Sequence, residues 1–294
     1  MTMISNKRET QNLAIGIFWM IGSLASFIGI AVASRELSQS LSIFQILFFR
    51  SLVGVGIILL FVRTLLPEIR QTKRMMLHFS RNVVHFGAQC CWTLGVALLP
   101  LSEVFALEFT MPVWAALFAF LFLGEKISRA RMIAVFASFA GILVILRPGF
   151  EIVDPASFIV LIAAIGFGIS VIMVKILTKD CSPAVIVVWM ILLQLPMGLA
   201  LAIPNWQSPS LENVPWIILA GITGMSAHYT MAKALKLVDA SIAIPIDFFR
   251  VPLIALVGFY LYGEVIEAWL LLGALLIFGS NYYALRSEAR NKTI

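Results

Sequence analysis

Long apolar runs separated by short polar clusters dominate this chain, and most runs are close to the length of a bilayer crossing. Read between charged or turn-rich breaks, they fall at residues 13–33, 41–62, 79–99, 101–123 and 130–146, then at 158–177, 185–203, 214–235, 240–262 and 268–285. A hydrocarbon core about 30 Å thick takes about 20 helical residues to cross. The pattern therefore predicts an all-α membrane protein of ten transmembrane helices, five in each half. Asp154-Pro155, Ser182-Pro183 and the stretch from Asn205 to Pro215 supply breaks in the second half. The first run, Leu13 to Ala33, is uncharged and lacks a convincing small-residue cleavage site, so it is expected to stay as the first helix rather than be removed as a signal peptide.

Composition agrees with the pattern. With 61% hydrophobic residues, 12% charged and a mean hydropathy of +1.00, the chain has too little polar surface to coat a water-soluble globule of 294 residues. The net charge of +6 is not a nucleic-acid footprint, because the bases sit in short interhelix segments without interleaved aromatics. It is topological. With the N-terminus in the cytosol, Lys7, Arg8, Arg63, Arg70, Lys73, Arg74, Lys126, Arg129, Arg131, Lys175, Lys179, Lys233, Lys236, Arg286, Arg290 and Lys292 all fall inside, and only Arg35 and Arg147 fall outside. This bias predicts that both termini are cytoplasmic and that the number of spans is even. Cys90, Cys91 and Cys181 offer neither a disulfide framework nor metal-ligand spacing and are read as packing residues; no cofactor is expected. Asn291-Lys292-Thr293 matches a glycosylation sequon but lies on the side assigned to cytosol, so it is read as a chance match.

Sliding the chain on itself by 139 residues aligns Leu101–Glu125 with Ala240–Glu264. Seven positions match: Ser102/Ser241, Phe109/Phe248, Ala116/Ala255, Leu117/Leu256, Phe120/Phe259, Gly124/Gly263 and Glu125/Glu264, and Glu108 meets Asp247. The two halves read as five-helix repeats over 13–147 and 157–286. An odd number of helices per repeat forces the second copy into the membrane upside down, a symmetry common in secondary transporters.

On these residues the chain resembles the drug/metabolite transporter superfamily, of the EamA type. The resemblance is carried by Phe48-Phe49-Arg50, the two Gly-Glu helix ends, Pro112, Pro252 and Val238-Asp239-Ala240, and it covers nearly the whole length. Arg81 through Glu125, with Trp92, Thr93 and Gly95, is most similar to the subgroup containing S-adenosylmethionine uptake carriers. The resemblance implies a bacterial inner-membrane carrier with an inverted repeat and a central cavity for a small solute.

Charges within the apolar runs are the candidate site, since each costs about 2.5–3.5 kcal/mol near the bilayer centre on insertion scales and must face protein, partner or water. Arg50 lies about nine residues, or about 13 Å, into its run. Glu108 and Arg250 reach similar depth. Arg81, His85, Gln89 and Trp92 recur at spacings of four, four and three, which places them on one helical face. Arg81 either joins that face or snorkels to the cytosolic boundary. His228 is either a site residue or a hydrogen-bonded packing residue. Asp247 and Arg250, three apart, can pair with each other, and Arg50 can pair with Glu108. Pro112 deprives the carbonyl of residue 108 of its helical partner, and Pro245 and Pro252 bracket Asp247 and Arg250.

These residues lead to the expectation that Arg50 and Arg250 bind a carboxylate or other anionic group, since a planar guanidinium donates two parallel hydrogen bonds. Trp92, Trp189 and Phe249 would form apolar walls, His85, Gln89 and His228 polar contacts, and Glu108 or Asp247 would carry a coupling proton. The function expected is secondary active transport of a small polar metabolite. The alternatives are an importer of S-adenosylmethionine or nucleotide-like metabolites, and an exporter of amino acids or cationic compounds. No His-Glu-x-x-His, nucleophile-elbow or phosphate-loop pattern points to an enzyme. Expected partners are the small-molecule solute and the lipid bilayer; the oligomeric state is not set by the sequence.

Overall fold

A computed structural model describes residues 2–124, 128–147, 153–235, 237–238, 243 and 246–291, with side chains described within 13–287 except at 123. Glu125, Asp239, Ala240, Ser241, Pro245 and the Lys292-Thr293 part of the sequon lie outside the described residues. Among those described, the regular structure is all helical: α1 (Thr2–Ser38), α2 (Ile43–Arg70), α3 (Met75–Leu98), α4 (Leu101–Glu108), α5 (Met111–Leu123), α6 (Arg129–Leu146), α7 (Pro155–Leu177), α8 (Pro183–Ala202), α9 (Asn213–Leu235), α10 (Arg250–Tyr262) and α11 (Ala268–Asn291), with a single 3-10 turn at Ile203–Asn205.

Helix starts follow local chemistry. Ser42 and Gln45 form a reciprocal capping box at α2. Asp154 accepts from the Ala156 amide (2.8 Å) and Ser182 from the Val185 amide (3.4 Å), each directly before a proline at the first helical position. The two matched glycines end α5 and α10 in the same way, each left-handed at φ +65°, a conformation that favours glycine.

Two runs expected to be continuous helices are interrupted. The 101–123 segment divides at Phe109-Thr110, three and two residues before Pro112, whose ring and missing N–H break the hydrogen-bond ladder. In the 240–262 segment, residues 246–248 are helical and Phe249 forms a turn before α10. Among the described residues, seven helices are long and apolar enough to cross a membrane. Helices α3 and α9 have the length but carry too many polar side chains to meet the same measure, and α10 is too short.

Helices pack mainly as α1 on α9, α3 on α7, α2 on α8 and α6 on α11. Each of these pairs runs antiparallel. Gly22 faces Thr230 and Gly29 faces Thr223; Ala88 faces Gly166 and the Gly95 backbone faces Val160; Phe48 faces Gly198 and Gly54 faces Ile191; Ser138 Oγ lies 3.2 Å from Ser280 Oγ. At the last contact the backbones nearly touch: a β-carbon on Gly141 would lie 2.8 Å from the Gly273 carbonyl oxygen, so only glycine allows this approach. Phe105, Leu107, Val160, Ile254 and Ile277 form the interior. The outward faces are apolar too, with Leu60 80% and Phe136 70% exposed, as required of helices that meet lipid.

Candidate functional site

Helix α3 organises the interior. His78, Arg81, Asn82, His85, Gln89 and Trp92 are all buried on one face, a polar stripe that runs about 21 Å at 1.5 Å per residue. The expected alignment of Arg81, His85, Gln89 and Trp92 is thus present, and it extends through His78 and Asn82. Arg81 does not reach outward: only 6% exposed, it donates to Asn82 Oδ1 (3.1 Å).

The stripe divides into two clusters. At one end Trp92 Nε1 donates to Glu108 Oε2 (2.7 Å) from the last turn of α4. Glu108 Oε1 lies 3.5 Å from Arg250 Nη1, and Arg250 Nη2 donates to Asp247 Oδ2 (2.6 Å). The guanidinium carbon stands 4.1 Å from the ring centroid of Phe27, 5.0 Å from Phe109 and 5.8 Å from Phe105. This cation is balanced by two carboxylates and caged by three rings. Among the described residues, Arg250 Nε and Nη1 and Asp247 Oδ1 nevertheless have no hydrogen-bond partner.

The second cluster has a different charge balance. Arg50 Nη2 donates to Gln89 Oε1 (2.5 Å). Gln194 Nε2, from α8, lies 3.0 Å from His85 Nδ1 and donates to Asn82 Oδ1 (3.3 Å). His85 stands against Phe167 and His228, with ring centroids 5.5 and 6.1 Å away, and His228 in turn meets Phe27 at 5.9 Å. Among the described residues neither Arg50 nor Arg81 has a carboxylate within ion-pair distance. The expected Arg50–Glu108 pair does not form, because Glu108 is taken by Arg250 and Trp92.

Two expected walls lie elsewhere. Trp189 donates to Thr72 Oγ1 (3.0 Å) in the turn between α2 and α3 and sits beside His78, away from both clusters. Phe249 is 60% exposed. Its neighbour Phe248 turns inward against Phe109 (5.5 Å) and Phe278 (4.0 Å), because the turn at 249 shifts the face presented by the segment. Asn82 and Gln194 were not singled out from sequence, although Asn82 shares the stripe's spacing and Gln194 is a lone amide in an apolar helix. Phe27, Phe105, Phe109 and Phe167 carried no signal that separates them from ordinary apolar residues.

A third polar cluster closes one end of the bundle. Arg35, at the end of α1, donates to the Leu99 carbonyl (2.5 Å) and to Glu264 Oε1 (2.7 Å), while Glu264 Oε2 accepts from the Leu101 amide (2.8 Å). The clamp joins α1, the α3–α4 junction and the α10–α11 loop. Burial pushes the Glu264 carboxyl above its ordinary range, against the Leu101 amide and Arg35, which favour its charge.

Apolar outer faces around a buried polar stripe define a multi-pass membrane protein with chemistry reserved for its interior. The chain belongs to the EamA-like transporter family, whose model matches residues 14–147 and 155–286. It is a transporter rather than an enzyme. It is 29% identical over 288 residues to a riboflavin transporter of Rhizobium johnstonii, covering 97% of this chain and 95% of the relative. A riboflavin transporter of Vibrio cholerae is 32% identical over 229 residues, 76% of each chain. An S-adenosylmethionine uptake transporter of Rickettsia bellii is 25% identical over 278 residues, 94% of this chain and 95% of the relative. A chain of known crystal structure superposes with a TM-score of 0.61 at 15% identity, covering 96% of this chain and 98% of its own length; that likeness concerns the fold alone.

Proposed function

We propose that this protein imports a small metabolite rich in hydrogen-bond acceptors across the bacterial inner membrane, by alternating access between two inverted five-helix repeats with both termini in the cytosol. The observation that carries the solute class is a pair of inward guanidiniums, the half-buried Arg50 and the buried Arg81, without a carboxylate within ion-pair distance among the described residues. A buried cation in that setting favours a ligand that brings acceptors or negative charge. The inverted arrangement is supported by the antiparallel contact of α2 with α8 and of α6 with α11. Those helices hold equivalent places in the two halves, and equivalent helices that run antiparallel belong to oppositely oriented copies.

Riboflavin is the first solute to test. Its ring system offers carbonyl and imine acceptors to Arg50, Gln89, His85 and Gln194, and flat faces to Trp92, Phe27 and Phe167. The riboflavin transporters among the relatives favour the same choice. A carboxylate-bearing anion is the second reading, favoured by the same two arginines with Arg250. The sulfonium and ammonium charges of S-adenosylmethionine would face a positive field here. Glu108 and Asp247, on either side of Arg250, are the candidates for proton coupling.

Uptake of labelled riboflavin, S-adenosylmethionine and a dicarboxylate into proteoliposomes, with and without a pH gradient, tests the reading. Saturable riboflavin or dicarboxylate uptake that Arg50→Ala abolishes, in a protein that still folds, upholds it. Uptake of S-adenosylmethionine alone, indifferent to Arg50→Ala, overturns it and makes the arginines structural.

A further inference from the structure

A guanidinium donates hydrogen bonds and never accepts them, so it fixes the orientation of any amide beside it. Arg81, buried on α3, places its Nη1 3.1 Å from Asn82, and the atom that faces it is therefore the acceptor Oδ1. The other end of that amide agrees, since Asn82 Nδ2 donates to the His78 carbonyl (2.8 Å). Gln194 of α8 lies 3.3 Å from Asn82 Oδ1, so it points its NH2 group at α3. The same nitrogen stands 3.0 Å from His85 Nδ1. Its two hydrogens serve the two acceptors, and His85 Nδ1 can receive one of them only as a bare nitrogen. A neutral imidazole that is bare at Nδ1 carries its proton on Nε2.

His85 Nε2 has no hydrogen-bond partner among the described residues, and in contrast to His78 Nδ1 it is not sealed from open space. One turn along α3, Gln89 obeys the same rule: its Oε1 accepts from Arg50 Nη2 (2.5 Å), which leaves its NH2 group to donate. The charges of Arg50 on α2 and Arg81 on α3 reach His85, as does the ring of His228 on α9, and Arg250 on α10 reaches His228. Phe167 of α7 and Gln194 of α8, which also pack on His85, add no titratable group.

We propose that Arg81, Asn82 and Gln194 form a positioning relay that holds His85 as an Nε2–H donor. Arg50, Gln89 and His85 then present donors only, and together they select a solute edge that carries adjacent acceptors and reject one that carries an ammonium or sulfonium group. The selection rests on the reading of this cluster as the solute site; the relay itself does not. Asn82 and Gln194 touch no solute in this arrangement and act through His85. Because α3 and α8 belong to different halves of the chain, the relay also ties the donor edge to the contact between the halves.

The relay is tested on solute-free full-length protein in micelles by 15N NMR with labelled histidine, which distinguishes a bare ring nitrogen from an N–H. The chain has three histidines, and His85→Asn identifies the His85 signals by their loss. Wild type is expected to show His85 bare at Nδ1 and protonated at Nε2, and Gln194→Leu should let the Nδ1–H form appear. The donor edge is tested by uptake into proteoliposomes. His85→Asn keeps an acceptor near the Nδ1 position for Gln194 but removes the Nε2 donor, so uptake should fall about tenfold, the scale of one hydrogen bond to solute. His85→Gln, whose longer amide reaches the Nε2 position, should keep most of it. An Nδ1–H ring in wild type, a tautomer that Gln194→Leu leaves unchanged, or full uptake by His85→Asn each overturns the proposal. A wild type that takes up none of riboflavin, S-adenosylmethionine and the dicarboxylate would instead overturn the transport reading on which the donor edge rests, while the spectra would still decide the relay.

Discussion

The Arg250 and Arg50 clusters lie on the same helical stripe but solve the cost of a cation inside the helix bundle in opposite ways. Arg250 is held by Glu108, Asp247 and three aromatic rings, so its charge is compensated within the fold. Arg50 and Arg81 rest on the neutral amides of Gln89 and Asn82. A closed ion cluster suits a latch that joins α3, α4 and α10 and can be broken and remade. A cation that meets no carboxylate among the described residues suits a binding site, since the compensation can come from the solute. The difference separates residues whose loss should cost stability from residues whose loss should cost transport.

The largest effect expected on stability is from Glu108→Ala, which leaves Arg250 with one carboxylate and removes the acceptor of Trp92; breaking a buried pair in this way costs about 3–5 kcal/mol, measurable as a large fall in the thermal midpoint. Arg50→Met should lower uptake about tenfold or more, the scale of one charge-assisted hydrogen bond to solute, while the midpoint stays near that of wild type. If Arg50→Met unfolds the protein and Glu108→Ala does not, the division between the clusters is wrong. Gln194→Leu removes the amide beside His85 and Asn82 and should cost about 1–3 kcal/mol, because a buried polar partner is left unsatisfied; competition assays should show relaxed solute selectivity. The smallest contrast is between two phenylalanines. Phe27→Ala loosens the Arg250 cage and should cost a cation–π contact of about 1–2 kcal/mol on top of lost packing, whereas Phe249→Ala, on the exposed face, should leave uptake unchanged.

Much of the fold was legible in the chain because a bilayer imposes a coarse rule: about 20 apolar residues per crossing, with charges between them. Gly124 and Gly263 were visible as matched helix ends, and both adopt the left-handed cap. The stripe on α3 was visible because 3.6-residue periodicity alone puts Arg81, His85, Gln89 and Trp92 on one face. The helix breaks at Phe109-Thr110 and Phe249 were signalled only indirectly, by Pro112 and Pro252. Their positions decide which face each following residue presents, and for that reason Phe248 rather than Phe249 turns inward.

Sequence by itself determined that this protein lives in lipid, that its two halves are related, and that a small set of charges is buried; each follows from local composition and spacing. Only the tertiary structure decided which charges meet. Glu108 joins Arg250 and not Arg50, Gln194 reaches His85 across 109 residues of chain, and Trp189 leaves the site for Thr72. Such choices depend on which helices pack side by side and at what rotation, and at short range a polar side chain takes the nearest partner that satisfies it, a matter of distance in space that spacing along a single chain does not encode.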